Sequence, residues 1–165
     1  MTDRQRAGPG GPTPAARWSF DEVYGRRWTP MVRFAYATTG SLAQAEEVVQ
    51  DAFVELYRHR ETVTAPEAWL RRAVASKATS WVRRRRLERR HEQADRPQVA
   101  VQTVTSDFMA MLHPLTARQR AALFLRYHED LSEAEIAAVL GCRPGTVKSL
   151  VNRALTELRE RPHHG

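Results

Sequence analysis

An all-α fold of two small helical modules is what the sequence predicts, on three observations. Apolar residues recur at helical spacing over residues 18–92 and again over 106–160. Between them, residues 93–105 (QADRPQVAVQTVT) lose that period and read as a flexible linker. No hairpin signal occurs anywhere, and the one short β-prone stretch, 99–104, falls inside the linker. The ends read as tails. Residues 1–17 (MTDRQRAGPGGPTPAAR) are rich in Gly and Pro, hold no large apolar residue after Met1 and predict disorder; residues 161–165 form a short C-terminal tail.

The first module opens with an apolar stripe of Phe20, Val23, Tyr24, Trp28, Met31, Val32 and Ala35. A bend or break is expected before Pro30, because proline lacks the N–H and crowds the preceding turn. Gly40 closes this helix. SLAQ then predicts a capping box, with Ser41 as N-cap and Gln44 reaching back. Leu42, Ala45, Val49, Ala52, Phe53 and Leu56 follow at i, i+3, i+4, i+7 spacing, and Glu46, Glu47, Gln50, Asp51 and Glu55 line the opposite side. An acidic face in a basic protein reads either as ordinary solvation or as a docking surface.

Pro66 suits the first turn of the third helix, and Thr64 with Glu67 has capping-box spacing. At about 100° per residue, Leu70, Val74, Lys77 and Trp81 fall on one side. Arg72, Ser76, Thr79, Arg83, Arg86 and Arg90 fall on the other, with Trp69 and Ser80 at its edge. SWVRRRRLERRHE places six arginines in the eight positions 83–90. These continue a face begun two turns earlier, so they predict a helical polyanion-binding face rather than a disordered basic tail. Arg84, Arg85 and Arg89 point elsewhere and read as solvated charge. Trp69 reads first as a packing residue and second as an aromatic on which a base could stack.

The second module holds three capped helices. Thr116 and Gln119 form a capping box ahead of Ala122, Leu123, Leu125 and Tyr127, and SEAE (132–135) forms another ahead of Ile136, Ala137, Val139 and Leu140. Gly141 stops the second helix and CRPG turns the chain. The last helix is expected over 146–160. Val147, Val151, Ala154 and Leu158 face the core; Ser149, Asn152, Arg153 and Thr156 face outward, with Lys148 and Arg159 on the flank. Two short helices across a Gly-containing turn, the second bearing outward donors, form a helix-turn-helix pattern and predict DNA binding.

Composition bounds the partners. Lys and Arg number 26 against 19 Asp and Glu, giving a net charge of +7, which favours polyanions such as nucleic acid or an anionic surface. No apolar run approaches the roughly 18 residues of a membrane span, so no membrane insertion is expected. Cys142 stands alone and cannot form an internal disulfide, which favours a cytoplasmic setting. The six histidines show no metal-ligand spacing, and neither a GxxxxGK loop nor a GxSxG elbow occurs. No metal, cofactor or catalytic residue is therefore expected, and the chain does not read as an enzyme.

FDEVYGRRWTPMVRFAY, AEEVVQDAFVELYRH, EAWLRRAV and LSEAEIAAVLGCRPGTVKS together resemble the extracytoplasmic-function sigma factors of the sigma-70 type. RWSFDEVY and YHEDLSEAEIAAVLGC are similar to the actinobacterial SigE-like branch. The resemblance implies that residues 18–92 are a region 2 that grips core RNA polymerase and melts the minus-ten element. It implies that residues 106–160 are a region 4 that reads the minus-35 element.

By position, the resemblance makes Glu46, Glu47, Gln50, Asp51, Phe53 and Glu55 the polymerase-binding set. The loop 61–65 and the start of the next helix match the segment that captures an unstacked minus-ten base. Trp69, Arg72, Ser76, Thr79, Ser80, Arg83, Arg86 and Arg90 become the region 2 DNA contacts. Arg143, Thr146, Lys148, Ser149, Asn152 and Arg153 become those of region 4. Core polymerase, promoter DNA and an anti-sigma factor are the implied partners. Ser76 and Ser80 stand where many relatives have Asn and Asp, and Leu150 stands where Arg is common. A stand-alone helix-turn-helix regulator and a sigma-like interaction protein that does not melt promoters are the alternative readings.

Overall fold

The computed structural model describes residues 18–92 and 107–161. The expected N-terminal tail, the linker with its β-prone stretch and residues 162–165 lie outside the described residues. Seven helices and no strand are found among the described residues: α1 (Phe20–Thr39), α2 (Leu42–Arg58), α3 (Pro66–Glu92), α4 (Asp107–Leu112), α5 (Ala117–Tyr127), α6 (Glu133–Leu140) and α7 (Pro144–Glu160).

The Ser19 hydroxyl caps α1 by accepting from the Glu22 amide, and Gly40 ends it at φ 73°, where its N–H reaches the Tyr36 carbonyl. The break expected before Pro30 does not occur. Val23 lies before the proline, and Met31, Phe34 and Ala35 after it; all four are buried, so packing on both sides offsets the one missing backbone bond. Only half of the expected box at α2 forms. The Ser41 hydroxyl accepts from the Gln44 amide, but the Ser41 N–H is taken by the Thr39 hydroxyl. Leu42 is exposed, and Val48 joins Ala45, Val49, Ala52, Phe53 and Leu56 in the core.

Pro66 opens α3 as expected, without the Thr64–Glu67 box. The Glu67 carboxylate instead accepts from Arg26 of α1 at 2.7 and 3.0 Å, since a guanidinium is a stronger donor than a backbone amide. Leu70, Val74, Ala75 and Ala78 bury α3 against α1 and α2. From Arg83 onward its described side chains are exposed.

Both capping boxes of the second module form in full, Thr116 with Gln119 and Ser132 with Glu135. Gly141 adopts φ 65° after α6. The last helix starts two residues earlier than expected, because Pro144 occupies its first turn and Arg143 precedes it in extended conformation. Ahead of the three capped helices, the helical spacing that begins at 106 yields a further short helix, α4, whose Leu112 is buried together with Leu115 just beyond it.

The two modules pack on each other, α1 against α5 and α3 against α5 and α6. Phe34 and Phe124 stack across this contact with centroids 5.6 Å apart, and both are buried. Arg120 of α5 donates to the Ala37 carbonyl at 2.9 Å and also to the Thr38 and Leu115 carbonyls. It thereby satisfies orphan carbonyls at the C-terminal end of α1. Arg27 and Arg71 both bond one oxygen of Glu129, at 2.7 and 3.0 Å.

Candidate nucleic-acid and polymerase interfaces

Periodicity makes α3 two-faced, and the fold turns its basic side toward the second module. Arg72, Ser76, Thr79, Ser80, Arg83, Arg86 and Arg90 form one wall of a groove of about 920 Å³. The other wall is Thr116, Ala117 and Arg118 with Ala138, Val139, Leu140, Gly141 and Leu150. Arg84, Arg85 and Arg89 do not line it. Trp69 is not part of the wall either: it is half-buried against the core beside His59, with ring centroids 6.3 Å apart. The Thr79 hydroxyl donates to the Ala75 carbonyl at 2.7 Å, leaving its oxygen to accept.

Like charges crowd this side of the molecule. Burial lowers the Arg120 guanidinium below its ordinary value, and repulsion from Arg86 lowers it further. Glu129 supplies the opposite sign. Burial alone would raise its carboxyl, but the hydrogen bonds and charges of Arg27 and Arg71 outweigh that and hold it below the ordinary glutamate value. Arg118, Arg120, Glu129, Arg27 and Arg71 are not among the sequence-predicted candidates. The contacts that join the modules, Arg27 and Arg71 with Glu129 and Arg120 with the end of α1, link positions 58 or more apart in sequence, so no local spacing points to them.

Arg143 just ahead of α7 and Thr146, Lys148, Ser149, Asn152 and Arg153 on it are all exposed, while Val147 and Ala154 are buried. The Ser149 hydroxyl donates back to Gly145 at 3.1 Å. Leu150 is half-buried and lies on the groove between the modules, where an arginine would add to the charge of the α3 wall.

The exposed stripe of α2 runs through Glu46, Glu47, Gln50 and Asp51, then Val54 and Tyr57. Two of the expected polymerase contacts leave it. Glu55 turns to α3 and accepts from Lys77 at 2.7 Å. Phe53 is 3% exposed and packs edge-on against Tyr24 at 4.9 Å, because its helical angle aims it at α1. It forms the floor of an aromatic groove of about 490 Å³ with Phe20, Tyr24, Trp28, Val54 and Tyr57.

No helix among the described residues is long and apolar enough to cross a membrane, and no group of three His, Cys, Asp or Glu among them could hold a metal ion. Cys142 is a free, half-buried thiol packed against the core.

Residues 26–88 match Sigma-70 region 2, and residues 106–158 match Sigma-70, region 4. The RNA polymerase sigma-E factor of Streptomyces coelicolor is 32% identical over 86% of this chain and 84% of its own length. The chain belongs to the RNA polymerase sigma factor family. The ECF RNA polymerase sigma factor SigE of Mycolicibacterium smegmatis is also 32% identical to this sigma factor, over 88% of this chain and 62% of its own. Among solved structures, the sigma factor RpoE of Bartonella quintana, in complex with the anti-sigma factor NepR, superposes with a TM-score of 0.70 at 26% identity. That match covers 86% of this chain and 94% of RpoE. The fold is shared as well with the extracytoplasmic-function sigma factor SigJ of Mycobacterium tuberculosis, at a TM-score of 0.61 and 24% identity over 88% of this chain and 55% of the other. As a sigma factor, the protein directs core RNA polymerase to promoters.

Proposed function

We propose a division of this sigma factor into four working surfaces over two regions, region 2 at 18–92 and region 4 at 106–160. The α2 stripe of Glu46, Glu47, Gln50 and Asp51 docks on core polymerase. The 61–65 loop receives an unstacked minus-ten base, and the α3 wall binds the phosphates of the melted strand. The outward face of α7 reads the minus-35 element, with Arg153 and Asn152 suited to base edges and Lys148 to phosphate. The setting is cytoplasmic, and the chain contributes specificity while polymerase carries the chemistry. An anti-sigma factor is the regulatory partner expected of such a protein.

The observation that carries this reading is the α3 wall. Four arginines and three hydroxyl residues 72–90 share one side of an anchored helix, while the remaining arginines of the run do not. A diffuse charge run would not sort itself in this way. Elements at minus ten and minus 35 lie about 25 base pairs, roughly 85 Å, apart on B-form DNA. A helix of α3's length spans only about 40 Å, and α3 touches α6 directly. The packed arrangement cannot serve both elements at once, so the modules separate on the promoter.

Run-off transcription on genomic fragments with purified core polymerase tests the function. Discrete transcripts that depend on this chain are expected. Polymerase binding without transcripts would make it an interaction protein only, and DNA binding without polymerase would make it a stand-alone regulator.

A further inference from the structure

The loop between α2 and α3 is tied to the start of the chain's first helix. Trp18 lies just ahead of the α1 N-cap, and its indole is half-buried against the core. Its Nε1–H donates to the Val63 carbonyl at 2.7 Å, across 45 positions of sequence. The loop is otherwise folded on itself. The Thr62 and Val63 amides both donate to the His59 carbonyl at 3.0 Å, and the Thr62 hydroxyl donates to the same oxygen at 3.1 Å. The Val63 side chain packs against the core, while Glu61, Thr62, Thr64 and Ala65 stay exposed. The loop is therefore held by its own turn at one end, by α3 at the other and by Trp18 in between.

We propose that Trp18 is a positioning residue for minus-ten recognition, holding the 61–65 loop through the indole–Val63 hydrogen bond in the shape that receives an unstacked base. The proposal rests on the reading that this loop captures the base. Its physical ground is preorganisation. Unstacking a base already draws on the binding free energy, and a loop that had to be ordered in the same step would draw on it again. Tryptophan suits the position because its body packs while its single donor needs an acceptor. The Val63 carbonyl, outside any helix, needs a donor. Phenylalanine would supply the packing and leave the carbonyl free.

The test uses holoenzyme on pre-melted promoter duplexes selected with the wild-type protein, each minus-ten base of the non-template strand being replaced in turn by an abasic site. Wild type should show one position with a dominant loss of affinity. In Trp18→Phe that loss should shrink about three- to tenfold, the range of one net hydrogen bond. Losses at the other positions and binding to an upstream-only duplex should change by less than about twofold, below the effect of one net hydrogen bond. A second variant, with the Trp18 indole replaced by benzothiophene, keeps the bicyclic shape without the donor and decides the case if Trp18→Phe folds poorly.

A wild-type pattern in a folded donor-less variant, or an equal loss at every position, would overturn the proposal and leave Trp18 a packing residue. Thr62→Ala and Thr64→Ala test the loop itself. If they leave the pattern intact and no position dominates in wild type, the base-capture reading falls and the Trp18 proposal with it. If they change the pattern while the Trp18 variants do not, only the proposal falls.

Discussion

The basic wall of α3 and the outward face of α7 carry the same kinds of donors in opposite circumstances. The α7 donors stand in open solvent on a helix whose rotation is fixed by Val147 and Ala154. The α3 arginines border a groove whose far wall is the other module, and Arg86 repels a half-buried Arg120 beside it. Placement, more than composition, separates the two. One face stands clear of the rest of the protein, and the other, though its arginines are exposed, looks across a groove at the module from which the proposed promoter complex would have it part. The contacts that oppose this parting, Arg120 on the end of α1 and Glu129 between Arg27 and Arg71, are thus the places to perturb.

Arg120→Ala should have the largest effect. It frees the Ala37, Thr38 and Leu115 carbonyls at once. A buried group left unpaired costs about 1–3 kcal/mol, so a loss of about 3 kcal/mol in urea unfolding is expected. The same variant should raise holoenzyme affinity for a pre-melted minus-ten strand and leave upstream duplex binding unchanged. An equal rise on both DNAs would dissolve the contrast between the two faces.

Glu129→Gln should follow, at about 2 kcal/mol, because it leaves two guanidinium groups facing a neutral amide in a partly dry contact. The native carboxyl is held below its ordinary value of 4.5. Its contribution is therefore fully present above pH 4.5 and is lost as pH falls through the lower folded value. Wild-type stability should fall over that acid range, and the difference between wild type and Glu129→Gln should close. A difference that stays constant with pH would mean that the carboxylate charge is not what holds the contact.

Arg153→Ala or Asn152→Ala should relax the selected sequence at one upstream position, at about 1–3 kcal/mol or less. Lys148→Ala should weaken all sequences alike. On α3, Arg83→Ala and Arg86→Ala should each remove one phosphate partner and lower the salt slope of holoenzyme binding by about 0.7–0.9. Arg85→Ala with Arg89→Ala should lower that slope less. Equal slopes for both pairs would return the arginine run to plain solvated charge.

Helical periodicity and local caps were legible from the chain alone. The boxes Thr116–Gln119 and Ser132–Glu135 form because both partners sit three residues apart on one turn. The sorting of the arginines on α3 was legible for the same reason, since rotation per residue is a local property. Where a long-range partner competes, local spacing misleads. Glu67 leaves its expected cap for Arg26, and Glu55 turns from the acidic stripe of α2 to Lys77. A charge-assisted bond across helices outweighs a neutral one within a turn. The joining of the two modules through Arg120, Glu129 and the Phe34–Phe124 stack, and the reach of Trp18 to Val63, depend on groups far apart in sequence. Only the folded chain brings them within bonding distance, so tertiary structure alone decided them.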